Sequence, residues 1–201
     1  MFLQQLINGI SLGSVYALTA VGYSLVYSVL ALINMSHAAV FLTSAVIFYM
    51  FYNLGSSGLP LAVVFIITLI SSGVMGFVIE RIAIRPIRKK GDGMTYALIS
   101  SIGVKTFLES ACQVAFGSEI KRFPTLFDGK YLEIAGARMA AIQFLIIGAS
   151  IVILLGLAYF TMKTKTGMGL RALSQNLKAS YLMGVPVDKM VSVAFALGSM
   201  L

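Results

Sequence analysis

Long, uninterrupted apolar runs separated by short polar stretches set the character of this chain. The runs cover residues 7–30, 38–51, 61–79, 96–116 and 139–162, and a sixth, 190–201, stops after twelve residues. None alternates apolar and polar positions with a period of two, which excludes transmembrane β-barrel strands. A membrane-spanning helix needs about 20 mostly apolar residues. The pattern therefore predicts an all-α, polytopic transmembrane helical bundle of about five full spans plus a partial sixth.

The interruptions differ in kind. Asn34-Met-Ser-His37 lies too close to both neighbouring spans to be a free loop, and the span after it is short. This predicts a broken or re-entrant helix near Asn34, because non-helical backbone at depth is tolerated where protein or a water-filled cavity covers it. Two readings of Asn34, Ser36 and His37 stay open. They line a translocation pathway, or they satisfy backbone groups at a helix junction. Residues 53–60 carry Gly and Pro breakers and predict a tight turn. Lys105 and Glu109 sit four apart in the fourth span and can pair along one helix face. They either line a polar pathway or snorkel to an interface. Gly9, Gly13 and Ala17, again four apart, give the first span a small-residue face. Such a face lets another helix approach closely; a conducting surface is the alternative.

Composition and charge orient the spans. Hydrophobic residues make up 59% of the 201 and charged residues only 11%, with a mean hydropathy of +0.94. Soluble domains are nearer half apolar. Residues 1–79 hold no Asp, Glu, Lys or Arg. With no basic region ahead of the first apolar run, a cleaved signal peptide is not expected. The net charge of +8 does not predict a nucleic-acid partner, because Lys and Arg cluster between spans as the positive-inside rule requires. Residues 80–90 hold five bases and one acid, which places them in the cytoplasm. The mixed-charge stretch 117–138, with Pro124 and Asp128-Gly129 as turn markers, falls outside. Residues 163–189, with Lys163, Lys165, Arg171, Lys178 and Lys189 against Asp188 alone, return to the cytoplasm. Counting back places the amino terminus outside. The single Cys112 excludes an intrachain disulfide and reads as a small buried side chain. The single His37 has no second His and no nearby Cys or acid, so neither a metal site nor a catalytic triad is expected. There is no phosphate-loop motif either. No catalytic residue and no cofactor is expected, and the chain does not read as an enzyme.

The second cytoplasmic segment has structure of its own. Leu170, Leu173, Leu177 and Tyr181 fall on one helical stripe, with Arg171, Ser174, Gln175 and Lys178 on the other faces. Gly167 and Gly169 precede this amphipathic helix, and Gly184 with Pro186 ends it, Gly184 in a C-cap role. The helix lies on lipid headgroups, or it docks into a groove on a soluble partner.

Several blocks together resemble a known family. The segment is similar to the cytoplasmic coupling loop of ABC importer permeases, with matches at Gly167, Arg171, Ala172, Asn176, Ala179 and Gly184. The stretch Asn8-Gly-Ile-Ser-Leu-Gly-Ser-Val-Tyr16 and its continuation to Tyr27 resemble the opening of the branched-chain amino-acid permease family. So do Ile33-Asn-Met-Ser-His37 and Glu80-Arg-Ile-Ala-Ile-Arg-Pro-Ile87, in the order and spacing of the H-type subunit. The resemblance covers nearly the whole chain. It implies one permease domain, residues 1–201, from which roughly the C-terminal third is missing. It implies a multi-pass subunit of the bacterial or archaeal cytoplasmic (inner) membrane, in an importer of branched-chain or related small amino acids. The implied partners are a second permease subunit, two cytoplasmic ABC ATPase subunits that bind the ATP, a periplasmic or lipid-anchored substrate-binding protein, and membrane lipid. The coupling matches would meet the ATPase, and Asn34, Ser36 and His37 would line the pathway. The family follows this His with Gly and Glu, whereas Ala38 and Ala39 stand here, so a carboxylate beside the pathway is absent. Importers of urea or short amides have similar permeases. A channel or secondary transporter with a lipid-binding basic helix is the reading outside this class.

Overall fold

The computed structural model describes residues 2–54, 60–90, 94–119, 131–134 and 137–201. Helices make up nearly all of it: α1 (Phe2–Leu30), α2 (His37–Leu54), α3 (Leu61–Ile79), a π-helical stretch (Glu80–Ile84), α4 (Arg85–Lys90), α5 (Met94–Phe116), α6 (Ala141–Lys163), α7 (Lys165–Gln175), α8 (Leu177–Leu182) and α9 (Val187–Met200). Three helical runs are long and apolar enough to cross a membrane by length and composition: Phe2–Leu30, Leu61–Lys90 and Ala141–Lys163. His37–Asn53 is a shorter apolar helix. α5 has the length, 23 residues, but Lys105 and Glu109 lower its apolarity.

The chain is thus an all-α, polytopic membrane protein, with one addition. Strands β1 (Tyr131–Ile134) and β2 (Ala137–Ala140) pair antiparallel, Tyr131 opposite Ala140. Four residues per strand are too few for a period of two to stand out in sequence. β2 also moves the start of the fifth span from residue 139 to Ala141. The turn residues proposed at 55–59, Pro124 and Asp128-Gly129 lie outside the described residues.

The chain divides into two compact units. The first, residues 1–21 and 121–168, contains the start of α1, the hairpin and α6. α6 buries only Ser150, while Val152, Leu155 and Tyr159 are exposed. Helices apolar all round are stable where lipid is the solvent. Gln143 joins α6 to α1, its Nε2 donating to Asn8 Oδ1 at 2.8 Å, while its Oε1 accepts from the Ala140 N–H at 3.3 Å. Side chains added at Gly9 or Gly13 would meet nothing within 4 Å. That small-residue face therefore packs against no helix among the described residues.

The second unit, residues 22–120 and 169–201, is built around α3. α9 lies against one side of it, and α2 lies between it and α5. Val64, Val191 and Phe195 are fully buried in this core. The close approach is made by glycines. A Cβ on Gly22 would lie 2.7 Å from the Gly198 carbonyl oxygen, and one on Gly198 would lie 2.8 Å from that of Gly22.

Helix α3 does not stop where its apolar run stops. The backbone continues through the π-helical stretch into α4, and the Arg85 N–H reaches the Glu80 carbonyl. Pro86 has no N–H to give an α-helical ladder and would clash with the preceding turn. A π register just before it absorbs both problems. Ser100 of α5 donates to the Ala83 carbonyl at 3.1 Å, which supplies a donor inside that irregular stretch.

Candidate functional site: basic segment, helix junction and charge clamp

The basic segment 167–186 is two helices, not one. Asn176 between them is extended, with φ −158° and ψ 107°, and its side chain accepts from the Ala179 N–H at 2.9 Å. Asn favours this N-cap geometry because its side chain competes with the helical backbone for hydrogen bonds. The break corrects the single apolar stripe expected from periodicity. Leu170 and Leu173 before it are buried, whereas Leu177 and Tyr181 after it are exposed.

Both ends of the segment are capped. Thr164 starts α7, its Oγ1 accepting from the Gly167 N–H at 3.0 Å. Gly167 is buried against the end of α6, and a Cβ there would run into the Phe160 carbonyl and the Thr161 backbone. At the other end the Val185 N–H donates to the Ser180 carbonyl at 3.0 Å and the Gly184 N–H to that of Tyr181 at 3.1 Å. With Gly184 at φ +80°, this is a Schellman motif, and Gly184 holds the C-cap role read from sequence. Arg171, Asn176, Ala179 and Gly184 are exposed and Ala172 is half-buried. The tip beside them is apolar, since Leu182 and Met183 are each 83% exposed.

The break near Asn34 is a short non-helical link rather than a re-entrant helix. α1 ends at Leu30, Ala31 takes the left-handed region at φ 51°, and α2 begins at His37. Asn34 Oδ1 accepts from both the Ser36 N–H at 3.2 Å and Ser36 Oγ at 2.6 Å. The Met35 N–H donates to Ser101 Oγ at 3.2 Å. Asn34 and Ser36 are buried, and these polar atoms satisfy the junction's own backbone. His37 is half-buried, with its ring edge-on to Tyr23 at a centroid separation of 6.0 Å. Lys105 and Glu109 do pair, at 3.8 Å, with both side chains about two-fifths exposed (41% and 40%). Cys112 is buried, its Sγ donating to Thr43 Oγ1 at 3.5 Å.

Sequence reasoning missed a charge cluster beside the basic segment. Asp188, in the first turn of α9, accepts from Arg85 and Arg88, each at 2.5 Å, with Lys89 Nζ at 3.4 Å. Arg88 also reaches Glu80 Oε1 at 3.4 Å. Glu80 is 0% exposed, and its other oxygen accepts from Ser192 Oγ at 2.6 Å. The cluster clamps α9 to the end of the α3–α4 run. The hydrogen bond from Arg85 above all holds the Asp188 carboxyl below its usual value; burial opposes this, and the charges of Arg88, Arg85 and Lys89 add to it. A signal was available. Glu80 and Asp188 are each the only acid in an otherwise basic segment, where a lone acid has many possible partners.

Apolar helical runs, a polar link between two of them and a capped basic segment define a multi-pass helical membrane protein. Residues 5–201 match the family described as branched-chain amino acid transport system / permease component, and the chain belongs to that family. It is 32% identical over 210 residues to the high-affinity branched-chain amino acid transport system permease protein BraD of Pseudomonas aeruginosa, covering 100% of this chain and 68% of that protein. It is 32% identical over 208 residues to the permease protein LivH of Salmonella typhimurium and 31% identical over 208 residues to LivH of Escherichia coli K12. Each of these matches covers 98% of this chain and 67% of the relative. No solved structure matches the chain.

Proposed function

We propose that this chain forms the permease domain of an ATP-driven importer for branched-chain or related small amino acids. The carrying observation is the end of α8, where exposed Tyr181, Leu182 and Met183 follow exposed Arg171, Asn176 and Ala179 along a segment capped at both ends. A preorganised, apolar-tipped helix suits rigid-body transmission to a docked partner. In this reading the partners are two cytoplasmic ATPases, which bind the ATP, together with a second permease subunit and a substrate-binding protein. Arg171, Ala172, Asn176, Ala179 and Gly184 form the contact. Gly167, packed against the end of α6, belongs to the same coupling set. Asn34 and Ser36 hold the junction from which His37 lines the pathway.

The test is co-purification of the full-length protein with its ATPases. Gly184→Trp and Arg171→Glu are expected to abolish ATPase association while membrane insertion is kept. Normal assembly with both changes sinks the coupling reading and favours a helix that binds only lipid. Uptake of leucine rather than urea by the reconstituted complex separates the amino-acid reading from the amide one.

A further inference from the structure

Beside the charge clamp lies a cleft of about 970 Å³, walled by the end of the α3–α4 run, by α9 and by part of α8. Its two long walls share one gradient. Phe77 is followed by Arg81, Arg85 and Arg88 on the first wall, and Ala196 and Val193 by Lys189 on α9. Both walls are apolar on the side of the hydrophobic run and cationic toward the basic end. With Lys89, five cations line the cleft against one acid, Asp188. Asp188 is committed to Arg85, Arg88 and Lys89. That leaves Arg81 and Lys189 without an ion-pair partner among the described residues. Two more donors, Arg85 Nε and Arg88 Nη1, are buried with no hydrogen-bond partner, a costly state for a guanidinium.

We propose that this cleft binds the headgroup of an anionic phospholipid from the cytoplasmic leaflet. Its phosphate would be held by the Arg81–Lys189 side, and its acyl chains would leave past Phe77 and Ala196. The positive-inside rule puts this end of the run at the cytoplasmic headgroup level, where the leaflet is anionic and basic pockets between helices take lipid headgroups. A free phosphate ion would use the cations but not the apolar floor. An acidic protein surface could not follow Phe77 and Val193 toward the hydrocarbon. The proposal rests on the cleft alone and does not depend on the coupling reading.

Native mass spectrometry of the full-length protein, alone and with its partner subunits, provides the test. The wild type is expected to retain phosphatidylglycerol in preference to phosphatidylcholine. Arg81→Gln and Lys189→Gln lie outside the clamp, so the circular-dichroism melt is expected to hold. Each should lower phosphatidylglycerol retention about fivefold. Equal retention of the two lipids by wild type overturns the proposal, as does an unchanged preference in the double variant. Displacement of the lipid by millimolar inorganic phosphate would reassign the cleft to a free anion. Its displacement by the bound ATPases would reassign it to a protein contact.

Discussion

Replacing Glu80 tests whether the clamp holds α9 in place. The Glu80→Ala change removes a fully buried carboxylate and with it the 2.6 Å bond from Ser192 and the 3.4 Å contact to Arg88. A hydrogen bond to a charged group contributes about 1.5–3 kcal/mol. Two facts keep the loss below the figure for a broken buried ion pair, about 3–5 kcal/mol. Arg88 retains Asp188 at 2.5 Å, and Ser192 retains its 3.0 Å bond to the Asp188 carbonyl. The deleted side chain also leaves a void, and each lost methylene costs about 0.8 kcal/mol. Relief from burying a carboxylate offsets part of this. The balance is about 2–3 kcal/mol for Glu80→Ala and about 1 kcal/mol for Glu80→Gln, which keeps the shape and the Ser192 bond.

The chain offers its own reporter. It has one Cys and no Trp, and Cys112 is 7% exposed, so a thiol-reactive fluorogenic dye reads unfolding in detergent on heating. For a chain of this size each kcal/mol moves the midpoint by about 2–4 °C, giving a fall of about 4–12 °C for Ala and about 2–4 °C for Gln. A Glu80→Ala midpoint within about 1 °C of wild type, or a Gln variant weaker than the Ala one, would refute the reasoning.

The clamp has a pH signature and the glycine contact a positional one. Because the folded Asp188 carboxyl lies below its reference of 3.8, its contribution is complete at neutral pH and is lost only as pH falls through that lowered folded value. Circular-dichroism melts of wild type and Asp188→Asn should therefore differ by a constant amount at pH 5–8 and converge in stronger acid; a gap that still grows from pH 5 to 8 would place the titration above the reference value and refute the lowered carboxyl, and a gap that shrinks over that range would have the wrong sign. Gly198→Ala should lower the midpoint, since its Cβ would sit 2.8 Å from a backbone oxygen, whereas Gly13→Ala, with nothing within 4 Å, should leave it unchanged or raise it by relieving helix entropy. Equal effects at the two sites would show that α9 does not pack there as described.

Long-range pattern was legible in this chain and local competition was not. Apolar runs located the long helices to within a few residues, because burying or dissolving an apolar face in lipid dominates everything else at that scale. Gly184 was legible because only a left-handed position after a helix rewards Gly so strongly. Asn176 shows the limit. It lies inside an unbroken helical stripe, and nothing in the period reveals that its side chain prefers to cap α8 rather than continue α7. Asn34 and Ser36 show another limit. Their polarity marked the junction, but only the geometry shows that their hydrogen bonds close on each other and on the local backbone.

The clamp escaped notice for a different reason. A change from apolar to charged residues at Glu80 marks the edge of the hydrocarbon, and it is easily taken for the end of the helix as well. These are separate boundaries. Hydrogen bonding ends a helix, through caps and prolines, whereas polarity ends a span. Here Pro86 falls two positions after the end of the π-helical stretch that accommodates it, so the backbone stays helical from Leu61 to Lys90. Arg85 and Arg88 therefore stand on the same rigid run as the buried face of α3. Their distance to Asp188 is set by α3–α9 packing and not by a loose loop. Two acids, each alone in a basic segment and separated by more than a hundred residues, can only be joined once both segments are recognised as helices that share one core.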